Sequence, residues 1–214
     1  MVRHTLQFCK QSGIDNLILS VNPSDQETFA EEAGDFAIGC ESFQIIPQPI
    51  NKGTACAIEL CDHLVRTAYT ATLFGDNLFE YSMVNSVADF ITCDYAARIH
   101  TTQVMNPQDY ASVEFGNGKI VSIIDKPQKP ISSVIMTGFM IFQTKELFRR
   151  IKLVKIDRFG EYNMMGMFPE LVSDGAIDHH RINGWWIDAG TSIEHLYRAT
   201  TLVHDIGINK KLID

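Results

Sequence analysis

Two aspartates stand at the ends of apolar runs in this chain. In "TATLFGDN" (70–77) a short strand-like run leads into Gly75, Asp76 and Asn77; in "WWIDAGT" (185–191) another leads into Asp188 and small residues. Ligands of open α/β sheets collect outside the carboxyl ends of the strands, so each acid is placed to present oxygens to a bound molecule. Gly75 permits close backbone approach there. Two such carboxylates, remote in sequence, can converge on one Mg²⁺, an ion that takes one or two carboxylates plus phosphate oxygens and water. The plainer alternatives are a Gly-Asp-Asn turn that caps a following helix, and an Asp188 that caps the last helix. For Asp188 the two roles can coexist. No D-x-D triplet occurs in the chain, so partners for a metal must come from distant segments.

The elements that would carry these acids alternate. "VRHTLQFCKQSG" reads as a helix stopped at Gly13, and "NLILSV" (16–21) as a strand closed by Asn22-Pro23. "SDQETFAEEAGD" opens with Ser24 and Glu27 at capping-box spacing. "FQIIPQP" is a strand interrupted by prolines, and 54–65 is helical, with Ala55, Ile58, Cys61, Leu64 and Val65 on one face. "TATLF" is a further strand and 81–91 a helix. Such alternation predicts βαβ units around a largely parallel sheet. Beyond residue 95 the texture changes to "YAARIHTTQV", "ASVEF", "KIVSIID" and "SSVIMTGFMIF", with "GNGK" (116–119) as a hairpin turn. A strand with a turn over "DHHRINGWWIDAG" and a closing helix after Thr191 or Ser192 complete the pattern. His179 and His180, adjacent on a strand, point to opposite faces and read as solvated residues. Trp185 and Trp186 alternate likewise, one toward the core and one toward the crevice.

The chain has 214 residues, 45% hydrophobic and 21% charged, the composition of a globular domain with ample core material. A net charge of −8 argues against a nucleic-acid partner, since phosphate binding needs clustered Lys and Arg. No apolar run approaches membrane-spanning length, and the start lacks the apolar segment of a secretory signal. Five cysteines without a C-x-x-C pair favour reduced thiols and a cytoplasmic location.

An ordered set of segments then becomes specific: "PQPINKGTACAI" (47–58), "FGDNLF" (74–79), "DYASVEF" (109–115), "IIDKPQKP" (123–130), "MTGFMIF" (136–142), "GEY" (160–162) and "WWIDAGT". Together they resemble the sugar-1-phosphate nucleotidyltransferases, above all the glucose-1-phosphate thymidylyltransferases, over nearly the whole chain. The resemblance implies an α/β fold with a Rossmann-like, mostly parallel mixed sheet flanked by helices. It also implies a single domain over 1–214, with a nucleotide-side half (1–95) and a sugar- and metal-side half (96–214). The implied reaction moves a nucleotidyl group from dTTP or UTP to glucose 1-phosphate and releases pyrophosphate. Mg²⁺ on Asp76 and Asp188 would relieve repulsion between the reacting phosphates. Gln48, Gly53, Asp76 and Asn77 fall at nucleotide-binding positions, the Gln48 amide offering donor and acceptor to a pyrimidine edge. Tyr110, Ala111, Asp125, Lys126, Met136, Thr137, Gly138 and Glu161 fall at sugar-binding positions, with Lys126 for the sugar phosphate. For Met136 plain strand packing is an equal alternative. Ala111 stands where the family has glycine, and Asp125 where it has the longer Glu.

Two departures bear on activity. The family's glycine-rich G-x-G-T-R loop and its Pro-Lys do not occur here, which predicts impaired catalysis in a truncated chain and a strand "NLILSV" with an unpaired edge. Arg158 is displaced by one residue, and Met165 and Gly166 stand where Thr and Asp are expected. The competing expectations are a non-catalytic protein that binds a sugar phosphate or nucleotide sugar, and a glycosyltransferase, against which the missing D-x-D argues. Whether copies of the chain associate is left open.

Overall fold

The computed structural model describes residues 1–48, 52–157 and 160–211. Pro49 and Arg158 lie outside them. In chain order the helices are α1 (Val2–Gln11), α2 (Gln26–Ile38), α3 (Gly53–Leu60), α4 (Val84–Phe90), α5 (Thr144–Ile151), α6 (Phe168–Ser173) and α7 (Ile193–Asp205). The strands are β1 (Asn16–Val21), β2 (Ser42–Pro47), β3 (Tyr69–Leu73), β4 (Asn77–Phe79), β5 (Ala97–Gln103), β6 (Ala111–Gly116), β7 (Lys119–Asp125), β8 (Val134–Gln143), β9 (Ile177–Arg181) and β10 (Trp186–Asp188). The chain divides into two compact units. One comprises Met1–Pro49, Leu73–Asp89 and Asn183–Asp214; the other comprises Ile50–Thr72 and Phe90–Ile182. Each unit thus draws on both sides of residue 95.

In the first unit β1 and β2 run parallel in register from Asn16↔Ser42 to Val21↔Pro47. Among the described residues β2 is the strand partner of β1. Leu6 of α1, Leu17 of β1 and Ala33 of α2 form a buried cluster beneath this pair, and Phe8 stacks on Phe79 with ring centroids 4.7 Å apart. α1 ends where Gly13 takes φ +79°, as the sequence predicts. The capping box does not form. Pro23 sets a 3₁₀ turn over Pro23–Asp25, and Ser24 Oγ donates to Asp25 Oδ1 instead of capping α2. A second cluster, Leu78, Ile187, Ala189 and Ala199, packs α7 onto β4 and β10 with Trp185 against it. Ser192 caps α7, its Oγ accepting from the His195 N–H at 3.2 Å.

The second unit is built on a six-stranded mixed sheet with β3 alongside β8. β5 and β9 are parallel, whereas β5–β8, β6–β8 and β6–β7 are antiparallel. The antiparallel pairs belong to the strand-rich segment, and of them β6–β7 is joined by a short turn. "GNGK" makes the predicted hairpin, with Asn117 (φ +52°) and Gly118 (φ +75°) both left-handed. β8 is buried along eight of its ten residues, which accounts for its continuous apolar sequence. The α/β class with a mixed sheet flanked by helices is as expected from the sequence. No described helix is long and apolar enough to cross a membrane, and all five cysteines carry free thiols.

The histidine expectation is corrected. His179 and His180 are half-buried, not solvated: the His179 ring lies 4.4 Å from Phe115, and the His180 ring 5.6 Å from His100. They do take different neighbours, as alternation requires. His100 is fully buried, its Nδ1 3.0 Å from the Phe139 carbonyl oxygen, and burial together with the neighbouring His180 lowers its pKa to about 3. The unfolded chain takes up that proton near the ordinary value of 6.5 and the folded chain does not. Stability is therefore full above pH 6.5 and falls toward pH 3, by at most about 1.4 kcal/mol per pH unit from this group. His100→Gln is expected to flatten the loss between pH 6.5 and 4 in urea unfolding followed against pH.

Candidate active site

The first unit gathers both aspartates at one end of a two-stranded ribbon. β4 and β10 pair antiparallel, with Asn77 opposite Asp188. Asp76 therefore sits one residue before β4 begins, beside the last residue of β10. The Ala189 N–H donates to the Asp76 carbonyl at 2.9 Å, and the Gly190 N–H to Asp188 Oδ1 at 3.0 Å. A side chain at Gly190 would have to displace the Asp76 carboxylate. A Cβ there would collide with Asp76 Oδ2 and stand 3.1 Å from its Cγ. Both carboxylates thus lie against Gly190. The Gly75-Asp76 turn opens into a strand and not the helix that a capping role requires, because Asn77–Phe79 finds its partner in β10.

Asn77 is only 2% exposed. Its Nδ2 donates to Asp76 Oδ1 at 2.9 Å, and its Oδ1 accepts from Trp186 Nε1 at 2.7 Å. An indole N–H can only donate, so it fixes the amide with its oxygen toward Trp186 and its NH₂ toward the carboxylate. The other predicted nucleotide-side residue of this unit, Gln48, lies just past the end of β2. Its N–H donates to the Val21 carbonyl at 2.7 Å, and Ser20 Oγ donates to its Oε1 at 3.4 Å.

Two carboxylates flanking one glycine suit Mg²⁺, which needs no more protein ligands than that when phosphates and water complete its shell. Among the described residues no group of three or more His, Cys, Asp or Glu is arranged to hold a metal. Gly190→Ala is expected to swing the Asp76 carboxylate aside while leaving the backbone intact, because Gly190 has no left-handed φ. Divalent-cation affinity should drop at least about tenfold with thermal stability nearly unchanged, a comparison that calorimetric titration and melting curves supply.

In the second unit β6, β7 and β8 bring together most of the predicted sugar-side residues. Ala111 pairs with Asp125 on one side and Met136 on the other. The Lys126 N–H donates to the Tyr110 carbonyl at 3.1 Å. Lys126 holds φ +41°, an uncommon left-handed conformation for a residue with a side chain. Ala111, Met136 and Thr137 are buried at 7%, 6% and 1% exposure, so their backbone and packing surfaces shape this corner. Gly138 comes next on the same strand. Asp125 Oδ2 accepts from Asn163 Nδ2 at 3.3 Å. Glu161 is exposed, its N–H donating to Asp157 Oδ1 at 3.1 Å.

Gly53 also belongs to this unit, at the start of α3 with φ +81°. A Cβ there would collide with the Tyr162 carbonyl oxygen. The Ala55 N–H donates to that carbonyl at 2.9 Å, and the Tyr162 N–H to the Lys52 carbonyl at 3.2 Å. The glycine is thus required by the approach of the 160–163 segment. Asn163 and Thr54 join the same network, Thr54 Oγ1 lying 3.4 Å from Asn163 Oδ1. Neither carries a local signature, although Asn163 comes directly after "GEY".

A family model described as nucleotidyl transferase matches residues 1–205. A low-salt glycan biosynthesis nucleotidyltransferase, Agl11, from Haloferax volcanii is 24% identical over 213 residues; the match covers 99% of this chain and 59% of that protein. A glucose-1-phosphate thymidylyltransferase from Neisseria meningitidis is 26% identical over 210 residues, covering 96% of this chain and 72% of that protein. A crystal structure of a Bacillus anthracis protein assigned as a glucose-1-phosphate thymidylyltransferase, in complex with sucrose, superposes with a TM-score of 0.88 at 27% identity. It covers 98% of this chain and 84% of that one. On the strength of the family match, which spans both aspartates and the whole sugar-side corner, the chain belongs to the nucleotidyl transferase family.

Proposed function

We propose that the chain transfers a nucleotidyl group from dTTP or UTP to glucose 1-phosphate, releasing pyrophosphate, in the biosynthesis of nucleotide sugars in the cytoplasm, at a rate lowered by the lack of a G-x-G-T-R loop in this sequence. A phosphate oxygen of the sugar 1-phosphate attacks the α-phosphorus, the bond to the β-phosphate oxygen breaks, and pyrophosphate carries away the electron pair. No protein nucleophile is needed. Mg²⁺ held by Asp76 and Asp188 would neutralise charge on the reacting phosphates. Lys126 pairs with the sugar phosphate and Asp125 accepts from a sugar hydroxyl. Tyr110, Ala111, Met136, Thr137, Gly138 and Glu161 surround the hexose. The Gln48 amide reads the base edge, Gly53 lets the chain come close to it, and Asn77 acts through Asp76.

The observation that carries this reading is the placement of both aspartate side chains against Gly190 in a chain of this family. The similarity to two proteins named as glucose-1-phosphate thymidylyltransferases supports the choice of sugar and base. Pyrophosphate release from dTTP or UTP with glucose 1-phosphate and Mg²⁺ tests it, and release that requires all three components is the expected result. No release, together with calorimetric binding of dTDP-glucose or UDP-glucose, would replace the enzyme by a nucleotide-sugar binding protein.

A further inference from the structure

Asn163 links three segments of the second unit. Its Oδ1 accepts from the Met165 N–H at 3.1 Å and from Thr54 Oγ1 at 3.4 Å, and its Nδ2 donates to Asp125 Oδ2 at 3.3 Å. Thr54 Oγ1 accepts in turn from the Met164 N–H at 2.9 Å. The amide has one consistent orientation. A backbone N–H only donates and an ionised carboxylate only accepts, so the oxygen faces Met165 and the NH₂ faces Asp125. The segment that bears Asn163 is itself anchored by the Tyr162 hydrogen bonds to Lys52 and Ala55, an approach only a glycine at position 53 permits. Asp125 is the last residue of β7, and its terminal torsion is broad unless a neighbour fixes it.

We propose that Asn163 is a positioning residue: held by Thr54 and the Met165 amide, it aims the Asp125 carboxylate at a hydroxyl of the bound sugar. The proposal rests on the assignment of Asp125 to the sugar under the proposed function. Asn163 also caps the short 3₁₀ turn Met164–Met167, so a structural role must be separated from the positioning one.

Asn163→Asp makes that separation. An aspartate at 163 keeps an oxygen for the Met165 N–H and caps as well as asparagine. It replaces the NH₂ donor with a second carboxylate oxygen facing Asp125. At pH 8 both acids are ionised and repel, and glucose 1-phosphate affinity by calorimetry is expected to fall about tenfold relative to the unmodified chain. At pH 5 the pair holds a shared proton that restores the bridge, and the ratio is expected to close to about twofold. Without ligand, ¹³C-detected carboxyl titration should show Asp125 taking up its proton at higher pH in the variant. Asn163→Ala should weaken binding by a factor that does not change with pH. An Asn163→Asp defect independent of pH, or none at all, overturns the positioning role while leaving the sugar assignment standing. Wild-type affinity in Asp125→Asn, or no glucose 1-phosphate binding by the unmodified chain, overturns the sugar assignment itself and this proposal with it.

Discussion

Replacing Asp76 or Asp188 by asparagine is expected to lower nucleotidyl transfer by about three orders of magnitude, since the charge a metal supplies to a phosphoryl transition state is worth several kcal/mol and each tenfold in rate is about 1.4 kcal/mol. The substitutions are nearly isosteric and leave the local bonds in place. In Asp188→Asn the amide oxygen can still accept from the Gly190 N–H; in Asp76→Asn it can still accept from Asn77 Nδ2. What disappears is negative charge at the metal, so the loss should come without a matching loss of fold. Pyrophosphate release at several Mg²⁺ concentrations, read beside melting curves, checks this. Two acids that act as a unit should also be non-additive, the double variant being scarcely worse than either single one. Full activity in either variant would assign the carboxylate to turn formation alone.

Removing the Lys126 side chain should reduce kcat/KM for glucose 1-phosphate by about 10- to 100-fold, the range of a charge-assisted bond worth about 1.5–3 kcal/mol. Its backbone offers an internal control. At φ +41° a residue with a Cβ carries strain that glycine escapes, so Lys126→Gly should be more stable than Lys126→Ala by about 1 kcal/mol. Both variants lose the ammonium group equally. Catalysis should therefore fall together in the two while denaturant stability separates, and Lys126→Arg should recover part of the activity because it restores a cation for the phosphate. If the activity of the two truncations tracks their stability instead, Lys126 is a turn residue and not a phosphate ligand.

Much of this architecture is visible in the sequence because local signals agree with the fold. The run at 16–21 is β-rich and bounded by turn residues; it forms β1 over just those residues. Asn117-Gly118 demands two left-handed residues and closes the β6–β7 hairpin. The capping box failed because Pro23 imposes a turn on the serine that was to do the capping. β4 was invisible for a different reason: three residues carry no periodicity, and only the distant pairing with Trp186–Asp188 makes a strand of them. The two acids were found by residue type at the ends of apolar runs, whereas their convergence on Gly190 depends on that same long-range pairing. The Trp186–Asn77–Asp76 chain and the Thr54–Asn163–Asp125 chain each connect residues remote along the polypeptide, and spacing within a segment cannot announce such partners. Buried His100 escaped notice because a single histidine in "ARIHTTQ" looks like any polar strand residue until burial and His180 surround it.

Titration of the unmodified chain, Asp76→Asn and Asp188→Asn with Mn²⁺, following the free ion by electron paramagnetic resonance in the presence of a nonhydrolysable nucleoside triphosphate analogue, tests the shared carboxylate site directly. One bound ion in the unmodified chain, weakened at least about tenfold by either substitution alone, is the predicted result. Undiminished affinity in either single variant would show that the two acids do not hold one ion.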